Sequence, residues 1–297
     1  MSKSKRHHPN PRDEAKPDPY AEVTARLLAA MAEGTVPWVR PWKCRGKGAG
    51  ALPTNGATGR PYSGINVLTL WLAGQVEGSH RWFSYKQAQA LGGQVHRGET
   101  GARILFFRML ERKDRSTGAV VEVPMARTSA VFNELQIDWA AGEGPELVGG
   151  PEAYPEASVL LAKSGADIRS GGDRAFYSVG QDYIRLPPFE AFRSEEDYWA
   201  TALHELVHWT GAASRLGRAF GPMGSDAYAF EELVAEIGAA FLCARLGLPP
   251  IDRHNAAYLA HWMQVGRQDK RAFVRAASLA QKAADFILER AAVRVAA

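Results

Sequence analysis

The stretch Ser194-Glu-Glu-Asp-Tyr-Trp-Ala-Thr-Ala-Leu-His-Glu-Leu-Val-His-Trp-Thr-Gly211 decides how the C-terminal half of this 297-residue chain is read. Ser194 is a good N-cap, and the three acids behind it face the positive end of a helix dipole. Trp199, Leu203, Leu206 and Val207 supply an apolar face, and Gly211 supplies the stop. Inside that helix His204-Glu205-Leu206-Val207-His208 matches HExxH. Two imidazoles at i and i+4 leave one helical face together and can grip a single zinc ion. Glu205, beside the first histidine, can take the proton of a water activated there. The alternative is a pair of surface histidines on an amphipathic helix, and the placement of the motif on a capped helix argues against it.

A catalytic zinc takes three protein ligands and leaves one position open. The next helix, expected from Ser225 to about Leu246, offers Glu232 and Glu236 one turn apart on one face, with Tyr228 one turn before them. Ala235 and Ala239 are small enough to let this helix lie close to the first. Phe230, Leu233, Val234, Ile237 and Phe241 form the opposite, core-facing stripe. A run of three glutamates, Glu231, Glu232 and Glu236, more often means a solvated face. The metal's need for a third ligand favours Glu232 as that ligand, with Glu236 accepting a histidine N–H. This pattern resembles the glutamate-zincin metallopeptidases, in which an acid follows the ligand Glu by four residues. Their usual acid there is Asp, so the roles of Glu232 and Glu236 could be exchanged. The expected chemistry is attack on a peptide carbonyl by a water whose proton goes to Glu205. Tyr228 is a candidate oxyanion donor, or equally a packing aromatic. His254 and His261 are expected to be structural or solvent-facing.

The chain is 46% hydrophobic and 23% charged, which is ordinary globular composition and excludes a largely disordered chain. Its length is about twice that of a typical domain of roughly 150 residues, so two domains, each able to bury its own core, are expected. No apolar run approaches the roughly 18 residues of a membrane helix. The charged start of the chain has no apolar stretch behind it, unlike a secretory signal, so a cytoplasmic protein with no membrane partner is expected. The two cysteines, Cys44 and Cys243, form no CxxC pair and read as free thiols.

The net charge of +4 hides an asymmetry. Residues 1–130 carry 20 Lys and Arg against 10 Asp and Glu, a balance of +10, and the remainder carries −6. A basic half suits a polyanion, most plausibly nucleic acid, although unevenly placed solubilising charge gives the same sums.

The expected class is α+β in two domains. Residues 1–17 read as a disordered basic arm, 18–139 as a small α+β domain, 140–150 as a Gly/Pro/acid linker, and 151–297 as a mainly helical domain with a small sheet. Helices are expected over Pro19–Glu33, Ser63–Val76, Ser84–Leu91 and about Glu152–Ser164. Strands are expected at Ala102–Leu110, Val120–Met125, Ser129–Leu135, Asp167–Arg169, Ala175–Ser178 and Tyr183–Leu186, the first two joined by a turn at Asp114–Gly118.

Between the first two helices, a Gly/Pro-rich loop interleaves Trp38 and Trp42 with Arg40, Lys43, Arg45 and Lys47. Asn55, Arg60, Tyr62 and Asn66 continue the polar and aromatic series. Exposed bases stack on aromatic faces while cations track phosphates, so the series suits single-stranded DNA. Tryptophans plugging the core beneath a long loop are an equal alternative.

Pro37-Trp-Val-Arg-Pro-Trp42, Leu52-Pro-Thr-Asn55, Gly59-Arg-Pro-Tyr-Ser-Gly-Ile-Asn66 and the segment from Lys86 to Gly98 resemble the N-terminal domain of ArdC-family plasmid antirestriction proteins. The segments His204–Leu216 and Tyr228–Leu246 resemble the zincin-type domain found behind it. The resemblance covers nearly the whole chain. It implies single-stranded DNA binding by the first domain, a zinc metallopeptidase-like second domain acting on an unknown protein substrate, and protection of incoming plasmid DNA during conjugation. Two other readings stay open. One is a DNA-binding protector with a catalytically silent metal domain; the other is a general zinc peptidase whose basic half binds protein. Kinship with plasmid primases of the TraC type is also suggested, but no primase motif and no GxxxxGK[ST] loop is present.

Overall fold

The structure is a computed structural model and describes residues 18–39, 52–74, 79–113, 116, 119–140, 157–248 and 256–291. The expected arm (1–17), the basic loop from Arg40 to Lys47 and nearly all of the expected linker lie outside the described residues.

The N-terminal half begins with helix α1 (Pro19–Ala32). Asp18 caps it by accepting from the Tyr20 N–H, Pro19 occupies the first turn, and Val23, Leu27 and Met31 are its buried stripe. Strand β1 (Thr54–Asn55) follows, then α2 (Ile65–Ala73). Ile65, Val67, Leu68, Leu70 and Trp71 are all buried, as a helix that is apolar nearly all round requires. Next come β2 (Arg81–Phe83), α3 (Tyr85–Ala90), β3 (Gly93–Val95), β4 (Ala102–Lys113), β5 (Val120–Asn133) and β6 (Ile137–Trp139). They form a sheet of order β1-β2-β5-β4 and a separate β3-β6 pair. Ser84 and Gln87 make a reciprocal capping box on α3.

The two strands expected at 120–125 and 129–135 are one strand, β5, paired with β4 from Ala102–Val131 out to Lys113–Val120. Pro124 does not break it. β2 joins β5 only at Phe132 and Asn133, so around Pro124 the outer side of β5 has no ladder to lose. β1, β2, β3 and β6 were not expected, being two or three residues long.

The C-terminal half opens with α4 (Ala157–Ser164) and a sheet of β7 (Asp167–Ser170), β8 (Phe176–Ser178) and β9 (Tyr183–Leu186) in the order β7-β9-β8. Helices α5 (Glu195–Thr210), α6 (Asp226–Leu246), α7 (Ala256–Gln268) and α8 (Ala272–Arg290) complete it. The halves share their largest core, while the N-terminal half also holds two smaller clusters of its own, around Leu70 and Trp82 and around Phe83 and Ile137. One large cluster joins Val23, Leu27, Trp38, Val67 and Trp71 to Phe241, Trp262, Phe273 and the alanine stripe of α8. Trp38 meets Trp262 edge-on at 5.3 Å between ring centroids, and Trp71 meets Phe241 at 5.9 Å. Among the described residues no helix is long and apolar enough to cross a membrane.

Candidate functional site

α5 is built as its sequence asks. The Ser194 hydroxyl accepts from the Asp197 N–H, Gly211 is the C-cap, and Leu203, Leu206 and Val207 are fully buried. α6 crosses it at close range because Gly238 faces Val207. A Cβ on Gly238 would stand 2.9 Å from a Val207 methyl, closer than real contacts allow. This approach brings Glu232 to the two histidines.

His204 Nε2 and His208 Nε2 lie 3.1 Å apart, and each is 3.5 Å from a different oxygen of Glu232. One donor atom from each of the three residues falls within 4.8 Å of the others. Ligands held at 2.0–2.1 Å around a tetrahedral ion are about 3.3 Å apart, so this set fits a divalent metal. Among the described residues no other cluster of three or more such ligands appears. Glu236 Oε1 stands 3.6 Å from His204 Nδ1. Glu205 is buried beside the triad and lines a cavity of about 170 Å³ with Trp38, Ala200, Glu236, Ala239 and Cys243.

The sequence reading missed Glu231. This glutamate, 3% exposed, receives a hydrogen bond from His208 Nδ1 at 3.1 Å. Arg218 grips the same carboxylate through Nε (2.9 Å) and Nη2 (2.8 Å), and also donates to Val207 O and Thr210 Oγ1. A signal existed: Glu231 heads the stripe Glu231, Ala235, Gly238, Leu242, all buried, which a solvated face would not carry. A charged arginine tied to helix α5 thus holds the acceptor that fixes one imidazole.

Electrostatics follow from this crowding. Burial works against a charge on His208, but hydrogen bonds to Glu231 and Glu232 and the charges of Glu205 and Glu232 outweigh it, and the imidazole is pushed up to about 10. His204 is also raised, its hydrogen bond to Glu232 and the charge of Glu236 overcoming burial. Glu232 is half-buried, and although burial would raise it, the two histidines hold it well below the usual carboxylate range. Tyr228 is pushed far up by burial, by its 3.3 Å contact with the Tyr258 hydroxyl and by the charge of Glu232, so it stays a protonated donor near the triad.

The N-terminal series fares differently. Trp38 is 1% exposed and packed on Trp262, so its indole offers no face to a base; the plugging alternative holds for it. Asn66 is not a ligand-facing amide. Its Nδ2 donates to Leu105 O and its Oδ1 accepts from Leu105 N, both at 2.7 Å, pinning α2 to β4. Asn55 accepts from the Ala57 and Thr58 N–H groups and turns the chain after β1. Tyr62 is half-buried, its hydroxyl 3.5 Å from Asn55 Nδ2, while Arg60 is exposed. Arg40, Trp42, Lys43, Arg45 and Lys47 lie outside the described residues.

A helix carrying HExxH, a crossing helix supplying the glutamate and a small sheet beside them define a zincin-like metallopeptidase domain behind an α+β N-terminal domain. Residues 155–279 match the family model of a zincin-like metallopeptidase, and residues 17–132 match the N-terminal domain of anti-restriction factor ArdC. The chain belongs to the ArdC antirestriction family. Its fold matches the crystal structure of metal-free ArdC from plasmid R388 with a TM-score of 0.79 and 42% identity, covering 92% of this chain and 97% of that one. The Mn(II)-bound structure of the same protein matches at 0.77 and 41%, covering 93% and 98%. The chain is 37% identical to the uncharacterized protein y4eC of Sinorhizobium fredii over 91% of both chains. It is 39% identical to a DNA primase TraC of Escherichia coli over 93% of this chain, but spans only 27% of that protein's length.

Proposed function

We propose that this chain binds single-stranded DNA through its N-terminal domain, carries a zinc peptidase site on α5 and α6, and protects incoming plasmid DNA during conjugation, acting in the cytoplasm. The convergence of His204, His208 and Glu232 beside a buried Glu205 is the observation that carries the metal half of this reading. Two imidazoles and a carboxylate are a donor set suited to zinc. A zinc ion there would polarise a peptide carbonyl and make a water acidic. Glu205 is placed to accept a proton in the cleft and return it to the leaving amine. Glu231 and Arg218 fix the His208 ring, and Glu236 faces the second nitrogen of His204. Tyr228, held protonated, is the donor for developing negative charge on the carbonyl oxygen. The basic balance of residues 1–130 and the match to the ArdC N-terminal domain support the DNA half.

A second reading, a DNA-binding protector whose metal domain is silent, is favoured by one observation. The cavity of about 170 Å³ beside the triad has Trp38 of the N-terminal half in its wall, so the metal domain is built into the same packed unit as that half. Glu205→Ala separates the two. This variant is expected to keep its metal by elemental analysis and its DNA binding, and to lose peptidase activity and with it restriction protection. Full protection by Glu205→Ala makes the silent-domain reading the correct one. Removing His204, His208 or Glu232 is expected to empty the site, and full metal content in Glu232→Ala would show that another group is the third ligand.

A further inference from the structure

The ribbon formed by β4 and β5 runs out beyond the packed layers. Past the pairing of Leu105 with Thr128, Phe106, Phe107, Met109, Val121, Val123 and Met125 are all between 38% and 57% exposed. Apolar surface gathered in this way on a soluble fold marks a contact surface. The two faces of the ribbon differ. Cross-strand partners share a face, so one side presents Phe106 opposite Arg127 and, next along, Arg108 opposite Met125. Each cation is thus flanked by an apolar side chain along the strand diagonal and across it. Arg108 and Arg127 are exposed, and among the described residues no acidic side chain pairs with either. The other face carries Arg103, which is paired with Glu22 of α1, and Phe107, whose ring lies 6.5 Å from Tyr20. At its base that face leans on the fold through Leu105, and Arg103 is already neutralised.

We propose that the face bearing Phe106, Arg108, Met125 and Arg127 is a binding site for single-stranded nucleic acid. Residues 102–133 hold six Lys and Arg against three Asp and Glu, a net charge of +3. A single strand alternates anionic phosphates with bases whose faces are free, and the site alternates cations with an aromatic ring and a thioether. A duplex keeps its base faces stacked inside and leaves Phe106 nothing to cover. The proposal rests on the reading that the N-terminal half binds single-stranded DNA, and it places that contact on the ribbon.

The test uses the full chain and a fluorescent oligothymidine of about 20 nucleotides, titrated by anisotropy at several salt concentrations, with melting temperature followed for every variant. Phe106→Ala is expected to weaken binding roughly 5- to 100-fold, in line with loss of one stacked base. The Arg108→Ala/Arg127→Ala pair is expected to flatten the slope of log K against log salt by about 1.4, the loss of two phosphate contacts to a single strand. Phe107→Ala, on the opposite face, is expected to bind as the parent does. Parent protein that binds while all three variants bind equally well overturns the ribbon site and leaves the DNA reading intact. A Phe107→Ala loss equal to that of Phe106→Ala overturns the choice of face. Failure of the parent to bind at low salt overturns the DNA reading and the site together. Unchanged DNA binding with self-association lost in Phe106→Ala would assign the face to a contact between copies of this chain.

Discussion

The metal triad and the N-terminal surface place charge in opposite ways. At the triad the charged groups are buried or half-buried and answered: His204 and His208 by Glu232, His208 again by Glu231, and Glu231 by Arg218. On the ribbon Arg108 and Arg127 stand in solvent beside exposed apolar side chains. A buried network is over-determined, since removing one member leaves another charged and unsolvated. A surface array can lose any member at little cost to the fold. One region should therefore respond to mutation through stability and metal together, and the other through binding alone.

Glu231→Ala attacks that contrast hardest. It strands the Arg218 guanidinium, whose side chain is 4% exposed, and frees the His208 ring. A stability loss of about 3–5 kcal/mol is expected by denaturant unfolding, with metal affinity down roughly 10- to 100-fold. A variant that melts normally and keeps its metal would mean that the network is not coupled. Trp38→Ala comes next. It removes a fully buried indole from the contact with Trp262 and is expected to cost about 3–5 kcal/mol without changing the salt slope of DNA binding. A changed slope with unchanged stability would return Trp38 to the DNA surface.

Acidity gives the smallest and most graded effect. Without metal, Glu231 and Glu232 push the His208 imidazole up from its ordinary 6.5 to about 10 against the effect of burial. Its charged form therefore stabilises the metal-free fold fully below pH 6.5, and that contribution is lost as pH rises towards 10. Metal needs neutral imidazoles and displaces those protons. The gap in melting temperature between metal-loaded and metal-free protein is expected to widen from pH 6.5 to 8.5, with proton release visible by calorimetry in buffers of different ionisation enthalpy. A constant gap would place the histidines in the neutral form already.

The C-terminal site was largely legible because its geometry is local. Ser194, Gly211 and the i, i+4 histidines are all read along one helix, and Ser225 and Gly247 delimit the next. Glu231 was less legible, since its burial depends on which face of α6 meets α5, a tertiary fact signalled only by Ala235 and Gly238. The N-terminal half resisted for the same reason. β1, β2, β3 and β6 are too short to show a period of two, and their pairing comes from distant segments. Trp38 carried the composition of a nucleic-acid loop, but its partner Trp262 lies more than 200 residues away in sequence, beyond any local pattern.

The Trp38–Trp262 contact has a consequence for how such proteins are inherited. A cut between the halves would strip Trp38 from the wall of the cleft and lay bare Trp262 and Phe241, which Trp38 and Trp71 cover. Inheritance of the two halves together keeps these contacts. The Escherichia coli TraC match fits this: it runs across 93% of this chain, both halves in order, inside a protein nearly four times as long. Recombination that moves this cassette whole preserves the apolar seam, whereas a shuffle at the linker would have to rebuild it.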